Sequence, residues 1–253
     1  MVVTFLGTGT SQGIPMIGCS CDVCHSLDYR DKRLRASIHI ELNDISIVID
    51  SGPDFRQQML RENIKKINSI LFTHQHKDHV AGLDDIRAFN YLQNQKIPIY
   101  ATSFVIEQLK KEFSYIFLEK QYPGVPQIEV NQINKEIFYL EKIKITPIEV
   151  MHYQLPVLGF RIQDFTYITD ANFIDEKEIE KIKGTKVLVL NALQKEPHIS
   201  HFTLEEAISI AKKINAPQTY FIHMSHRLGT HRKISKELPE NINLAYDGLK
   251  ITL

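Results

Sequence analysis

The sequence predicts an α/β fold in which two mixed β-sheets pack together with helices outside. Three observations lead there. Strand-like runs come both in direct succession and in alternation with helical stretches, the pattern of a layered mixed-sheet domain. The 253 residues suffice for one large core. No repeat, low-complexity tract or Pro/Gly/Ser-rich linker interrupts them, so residues 1–253 read as a single domain.

The elements follow in order. Val2–Leu6 is an apolar first strand, followed by a long loop carrying glycines and cysteines. Strands near Ala36–Leu42 and Ile45–Ile49 are joined at Asn43-Asp44, a turn signal. Phe55–Asn63 reads as a helix and Ser69–Phe72 as a short buried strand. Gly82–Leu92 is helical by the spacing of Leu83, Ile86 and Phe89. Ile97–Ala101 is a strand, Phe104–Phe113 a helix, and 114–127 an irregular aromatic segment with Tyr115, Phe117 and Tyr122. Strands follow near Ile137–Tyr139, Ile143–Val150, Val157–Ile162 and Thr166–Thr169. Asp175–Lys183 is a helix and Lys186–Leu190 a strand. Thr203 caps a helix to Ile214, with Glu206 three residues on as a capping box requires. Thr219–Ile222 is a strand, and a short helix near Arg232–Leu238 precedes strands near Asn243–Ala245 and Leu249–Thr252.

Thirty basic residues balance thirty acidic ones, which gives no reason to expect non-specific binding to nucleic acid or membrane, although a local basic patch stays open. No apolar run reaches the ~18 residues of a membrane helix. The N-terminus lacks the basic region and long apolar core of a signal peptide. A cytoplasmic location is the expectation, and a homodimer stays open.

The chemistry is concentrated in Thr73-His74-Gln75-His76-Lys77-Asp78-His79, directly after the apolar run Ser69–Phe72. Imidazole and carboxylate are natural ligands of zinc and similar divalent ions. The H-x-H-x-D-H spacing offers two donors to each of two ions if the chain turns sharply at a strand end. Later strands also end in candidate donors: Val150-Met151-His152, Ile168-Thr169-Asp170 and Phe221-Ile222-His223. Asp50, after Ile47-Val48-Ile49, belongs to the same set.

Cys19-x-Cys21-x-x-Cys24 is a second signal. Three clustered cysteines make a poor disulfide framework and a structural zinc site short of one ligand. His226 is the chosen fourth ligand, with His25 as the local alternative. From His223-Met224-Ser225-His226, one imidazole would serve the ion pair and the other the zinc. Such a zinc would pin the N-terminal loop to the C-terminal half.

These motifs resemble the metallo-β-lactamase superfamily, over essentially the whole chain. The resemblance implies an αββα four-layer sandwich. It also implies that His74, His76 and His152 hold one ion and Asp78, His79 and His223 the other, with Asp170 bridging. Asp50 would lie behind them and orient a ligand or its loop. Two active-site ions (zinc or manganese, with iron also compatible) would then activate a water for hydrolysis. Relatives with a flavin-linked diiron site carry Glu where this chain has His76, which disfavours that branch.

The Cys-rich loop looks like the phosphoribosyl cyclic phosphodiesterase branch, which pairs a dinuclear site with a structural zinc on three Cys and one His. Phe5-Leu6-Gly7-Thr8-Gly9-Thr10-Ser11-x-Gly13-x-Pro15, Arg33-Leu34-Arg35-Ala36-Ser37 and His198-x-Ser200-His201-Phe202-Thr203 also match. The branch implies hydrolysis of a small cyclic phosphodiester. In the branch a His of the last motif lies beside the ions as substrate contact or general acid, a role that falls here to His201 with His198 as the alternative. Asp78 is a further candidate for the reaction, and His198 and Arg35 are candidate substrate contacts. The pyrroloquinoline quinone biosynthesis protein B group shares the loop and fold.

Two other functions compete. A tRNA 3′-processing endonuclease of the same superfamily would need a basic arm that this sequence lacks. A metabolite-binding carrier would not need His201. Arg33 and Arg35 could face phosphate or acidic neighbours, and Gly7, Gly9 and Gly13 read as a tight loop more than a phosphate cradle. Tyr115, Phe117 and Tyr122 are either a lid or packing residues. His39 reads as facing solvent or a neighbouring sheet, and His231 as a surface residue.

Overall fold

The computed structural model describes residues 1–253. The chain forms two compact units, each assembled from segments that interrupt the other in sequence. The first comprises Met1–Gly7, Ser37–Asn134 and Gly248–Thr252, and the second Thr8–Ala36, Lys135–Asp247 and Leu253. Because neither unit is contiguous in sequence, we keep one domain over residues 1–253 as a proposal.

The first unit is built on a seven-stranded mixed sheet. Its order is Lys250–Thr252, Val2–Gly7, Ser37–Leu42, Ile45–Ile49, Ser69–Leu71, Ile97–Ala101 and Ile128–Gln132. The first four strands pair antiparallel and the rest parallel. Asn43 and Asp44 both adopt positive φ, the backbone of a tight hairpin turn. All of Ile45–Ile49 is buried, as its unbroken apolar run requires. Helices Phe55–Arg61, Arg87–Gln93 and Ser103–Glu112 lay Phe55, Met59, Phe89, Val105 and Leu109 onto a core containing Ile70, Phe72, Ile97 and Ile99. The helix expected over Gly82–Leu92 is instead a 3₁₀ turn, Leu83–Ile86, followed by the α-helix Arg87–Gln93. Gly82 approaches the backbone so closely that a Cβ would lie 2.2 Å from the Gly52 carbonyl oxygen, which fixes glycine there.

The second unit carries an eight-stranded mixed sheet. Its order is Phe173–Ile174, Ile143–His152, Leu155–Ile162, Phe165–Tyr167, Val187–Asn191, Gln218–Ile222 and Ile242–Leu244, with Phe138–Leu140 also pairing with Ile143–His152. Helices Glu176–Ile182 and Leu204–Ile214 bury Ile179, Ile182, Ala207 and Ala211 with Leu188, Leu190 and Phe221. The capping box at Thr203 and Glu206 is present as expected. Two mixed sheets flanked by helices are the elements of the αββα architecture. No helix is long and apolar enough to cross a membrane.

Two strands lie outside the sequence reading. Ile128–Gln132 ends its sheet and exposes Glu129, Val130 and Gln132, so it shows no inward-outward alternation. Phe173–Ile174 is only two residues long. The parallel strands matter most for function. Their carboxyl ends lead into Asp50, Thr73, Asp170 and His223, the ends where mixed and parallel sheets gather functional side chains.

Candidate metal centre

In the first unit, Ile45–Ile49 and Ser69–Leu71 run parallel, and the Asp50 amide donates to the Leu71 carbonyl at 2.9 Å. This brings the two strand ends side by side. Asp50 is fully buried. Its Oδ1 accepts from the Thr73 amide at 2.9 Å, and its Oδ2 accepts from the Thr73 hydroxyl at 2.8 Å and His79 Nδ1 at 2.7 Å. Burial pushes the Asp50 carboxyl up, while His79 and the Thr73 bonds oppose that shift. With Nδ1 committed to Asp50, the His79 Nε2 lies 3.2 Å from Asp78 Oδ2. The His74 ring meets the Thr73 hydroxyl at 2.9 Å through Nδ1 and His76 Nδ1 at 3.0 Å through Nε2. Lys77–Val80 forms a short helix that starts inside the donor run.

In the second unit, His152 is the last residue of its strand rather than one beyond it. Its Nδ1 is held 2.8 Å from the Ser200 carbonyl. Asp170 Oδ1 accepts from the Thr169 hydroxyl at 2.7 Å and lies 3.3 Å from His223 Nε2. The turn at Asp170 is fixed by Asn191, whose amide exchanges two hydrogen bonds with the backbone of Ala171. Asp50, Asp170 and His223 all adopt left-handed φ, at 65°, 55° and 54°. Non-glycine residues there store about 1 kcal/mol or more each, and such strain concentrates where side chains must be aimed.

His201 is buried, with its ring 4.9 Å from that of His223, 4.6 Å from His152 and 5.1 Å from the exposed His198. Its Nδ1 is buried without a hydrogen-bond partner. Burial, reinforced by the neighbouring His223, pushes this imidazole down to about 3, so the ring is neutral at pH 7.

Three sets of donors could hold metal ions. They are Cys19, Cys21, Cys24 and His226, whose ligand atoms lie within 4.8 Å of one another; His74, His76, Asp78 and His79 of the first unit; and His152, Asp170 and His223 of the second. The last two sets mix His and Asp. Their nitrogen and oxygen donors suit zinc, manganese or iron, whereas three sulfurs and one nitrogen suit a structural zinc.

The cysteine group lies within the second unit. His226 Nδ1 is 3.3 Å from Cys19 Sγ and 3.4 Å from Cys21 Sγ. The Cys24 amide, followed by His226, pulls the Cys21 thiol down to about 6, while burial pushes Cys24 up to about 11. His25 is exposed and belongs to none of the three groups.

The remaining candidates divide. Arg35 is half-buried and donates to the Ser11 carbonyl at 3.0 Å, outside all three groups. Arg33 is buried and donates to the Thr8 hydroxyl and the Ala245 carbonyl, both at 2.7 Å. It also meets the His231 ring at 3.2 Å. His231 is therefore buried, contrary to the surface position expected of it. Its amide donates to Asp31 at 2.6 Å, and a glycine-bearing loop sequence concealed that long-range pairing. His39 does not face solvent either; it is buried with Nε2 2.7 Å from the Ser46 hydroxyl. A Cβ on Gly9 would lie 3.0 Å from both Cβ and carbonyl oxygen of Arg33, which favours the tight-loop reading. Tyr115 and Phe117 pack on the core of the first unit, and Tyr122 is exposed. Thr73, Asn191 and the Ser200 carbonyl were not singled out from sequence. Only Thr73, beside the donor run, and Asn191, a polar strand end, left a local signal.

Comparison with known proteins agrees with this geometry. A family model described as a beta-lactamase superfamily domain matches residues 46–224. A crystal structure described as a new diphosphatase from the PhnP family is 40% identical, covers 100% of this chain and 97% of that chain, and superposes with a TM-score of 0.94. The octanoyltransferase of Porphyromonas gingivalis is 37% identical over 249 residues, 97% of this chain and 50% of that protein. A ribonuclease Z of Prochlorococcus marinus (strain MIT 9215) is 31% identical over 173 residues, 65% of this chain and 50% of that protein. The chain thus spans about half the length of these curated relatives.

Proposed function

Because the chain belongs to the β-lactamase superfamily, we propose that it is a dinuclear metal-dependent hydrolase acting on a small cyclic phosphodiester. The observation that carries this reading is that each unit presents imidazole and carboxylate donors at its strand ends, His74, His76, Asp78 and His79 in the first and His152, Asp170 and His223 in the second. His74, His76 and His152 would hold one ion, Asp78, His79 and His223 the other, and Asp170 both. Zinc or manganese fits these donors, with iron also compatible, and one structural zinc would sit on Cys19, Cys21, Cys24 and His226. When bound, the paired ions supply a water acidic enough to attack at neutral pH and offset charge on phosphoryl oxygens.

The protein's own groups prepare that chemistry. Asp50 accepts a hydrogen bond from the His79 Nδ1–H and so leaves Nε2 as the metal-donor nitrogen. The Ser200 carbonyl does the same for His152. His201 is neutral, so it meets a phosphoryl or leaving oxygen as an N–H donor. His198 and Arg35 complete the substrate contacts. A cytoplasmic location and self-association are the remaining parts of the proposal, checked by fractionation and light scattering.

A second reading, cleavage of a small diphosphate, is favoured by the diphosphatase description of the 40% identical structure. Both reactions break a P–O bond to an ester- or anhydride-linked oxygen, with water supplying the new oxygen on phosphorus. Turnover of a ribose 1,2-cyclic phosphate that is lost on chelation and restored by manganese or zinc supports the first. Preference for a nucleoside diphosphate substrate selects the second. Turnover of only a tRNA precursor, or of nothing in metal-loaded protein, rejects both.

A further inference from the structure

Lys77 sits inside the donor run, between His76 and Asp78, and contributes to none of the donor groups. It opens the short helix Lys77–Val80, whose start is fixed by the His79 amide donating to the His76 carbonyl at 2.9 Å. The Lys77 ammonium lies 2.7 Å from Glu112 Oε2, at the end of helix Ser103–Glu112. Gln108, one turn earlier, donates to Glu112 Oε1 at 2.8 Å, so Oε1 is hydrogen-bonded and Oε2 is ion-paired to Lys77. The Glu112 side chain is 12% exposed and that of Lys77 is 72% exposed. All of these residues belong to the first unit.

A lysine set between two metal donors in sequence adds positive charge to the turn that must hold cations. A part-buried carboxylate paired with its ammonium offsets that charge and ties the donor turn to a ten-residue helix. We propose that Glu112, acting through Lys77, is a positioning residue that sets the divalent-cation affinity of the His76 and Asp78 donors. This rests on the dinuclear reading above and extends it to a residue outside the ligand set.

The test is a double-mutant cycle read by calorimetric titration of manganese into metal-depleted full-length protein, with thermal melts confirming that each variant folds. Glu112→Gln should weaken manganese binding about tenfold, as loss of a residue supporting a metal ligand commonly does. In a Lys77→Met background the same change should cost less than about twofold, because no ammonium is left to restrain. Lys77→Met alone keeps the proposal testable should Glu112→Gln not fold; it should bind manganese at least as tightly as the parent. Weaker binding by Lys77→Met, or equal losses from Glu112→Gln in both backgrounds, overturns the role of Glu112. If the parent protein binds no manganese, the dinuclear reading itself fails, and this inference falls with it.

Discussion

The cysteine group and the two mixed His/Asp groups differ in donor chemistry and in what surrounds them. Cys19, Cys21 and Cys24 come from one six-residue stretch that runs into the short helix Asp22–His25, and His226 alone is distant in sequence. Three sulfurs and an imidazole nitrogen are the donor count of a tetrahedral structural site, so a zinc bound there would stabilise the fold and leave no place for substrate. The mixed His/Asp groups instead combine imidazole with carboxylate and are backed by oriented partners such as Asp50 and the Ser200 carbonyl. Softness and closure are the marks of a folding element; mixed nitrogen and oxygen donors with a buried supporting layer are those of a reactive one.

That contrast can be broken experimentally. The largest effect is expected from Asp78→Ala and His76→Ala, which should abolish turnover while circular dichroism remains that of the parent. Collapse of the fold in either variant would show that the mixed groups are structural too. Cys21→Ser should lose about one equivalent of zinc and melt at lower temperature, reflecting a ligand set that contributes folding energy. Unchanged zinc content by mass spectrometry would erase the distinction between the centres. His201→Ala should lower kcat by roughly 10²-fold or more, with metal content intact. Full activity would remove His201 from the reaction.

Asp50→Asn should weaken divalent binding roughly 10- to 100-fold, measurable by titration, since it loosens the His79 orientation without removing a ligand. The smallest effect concerns an imidazole outside all three groups. Burial holds His39 down at about 4 rather than its ordinary 6.5. Between those values the unfolded chain takes up a proton that the folded chain refuses. The stability contributed by neutral His39 is therefore complete above pH 6.5 and is lost as pH falls towards 4. Melts of His39→Gln across that window should show a shallower loss than the parent; an equal slope would assign acid sensitivity elsewhere.

The donor run at Thr73–His79 was legible because its residues are neighbours in sequence and follow an apolar strand. The cysteine loop was legible for the same reason. His152, Asp170 and His223 were identifiable only as donors at strand ends, and the resemblance to a known superfamily supplied their grouping. Edge strand Ile128–Gln132 escaped notice because exposed strands bury too little to leave a period. His231 misled because its pairing with Arg33 joins positions 198 residues apart.

The sequence by itself determined the layered α/β class, the local donor spacing, the cysteine triplet and the capped helix after Thr203. Those features depend on neighbours along the chain, whose geometry bond lengths and backbone preferences restrict. Only the tertiary structure decided that Asp50 locks His79, that Ser200 orients His152, that Lys77 is held by Glu112, and that His39 and His231 are buried. Each of these depends on which distant groups share a desolvated space. That is set by the summed packing of the sheets and helices, which no short stretch of sequence encodes.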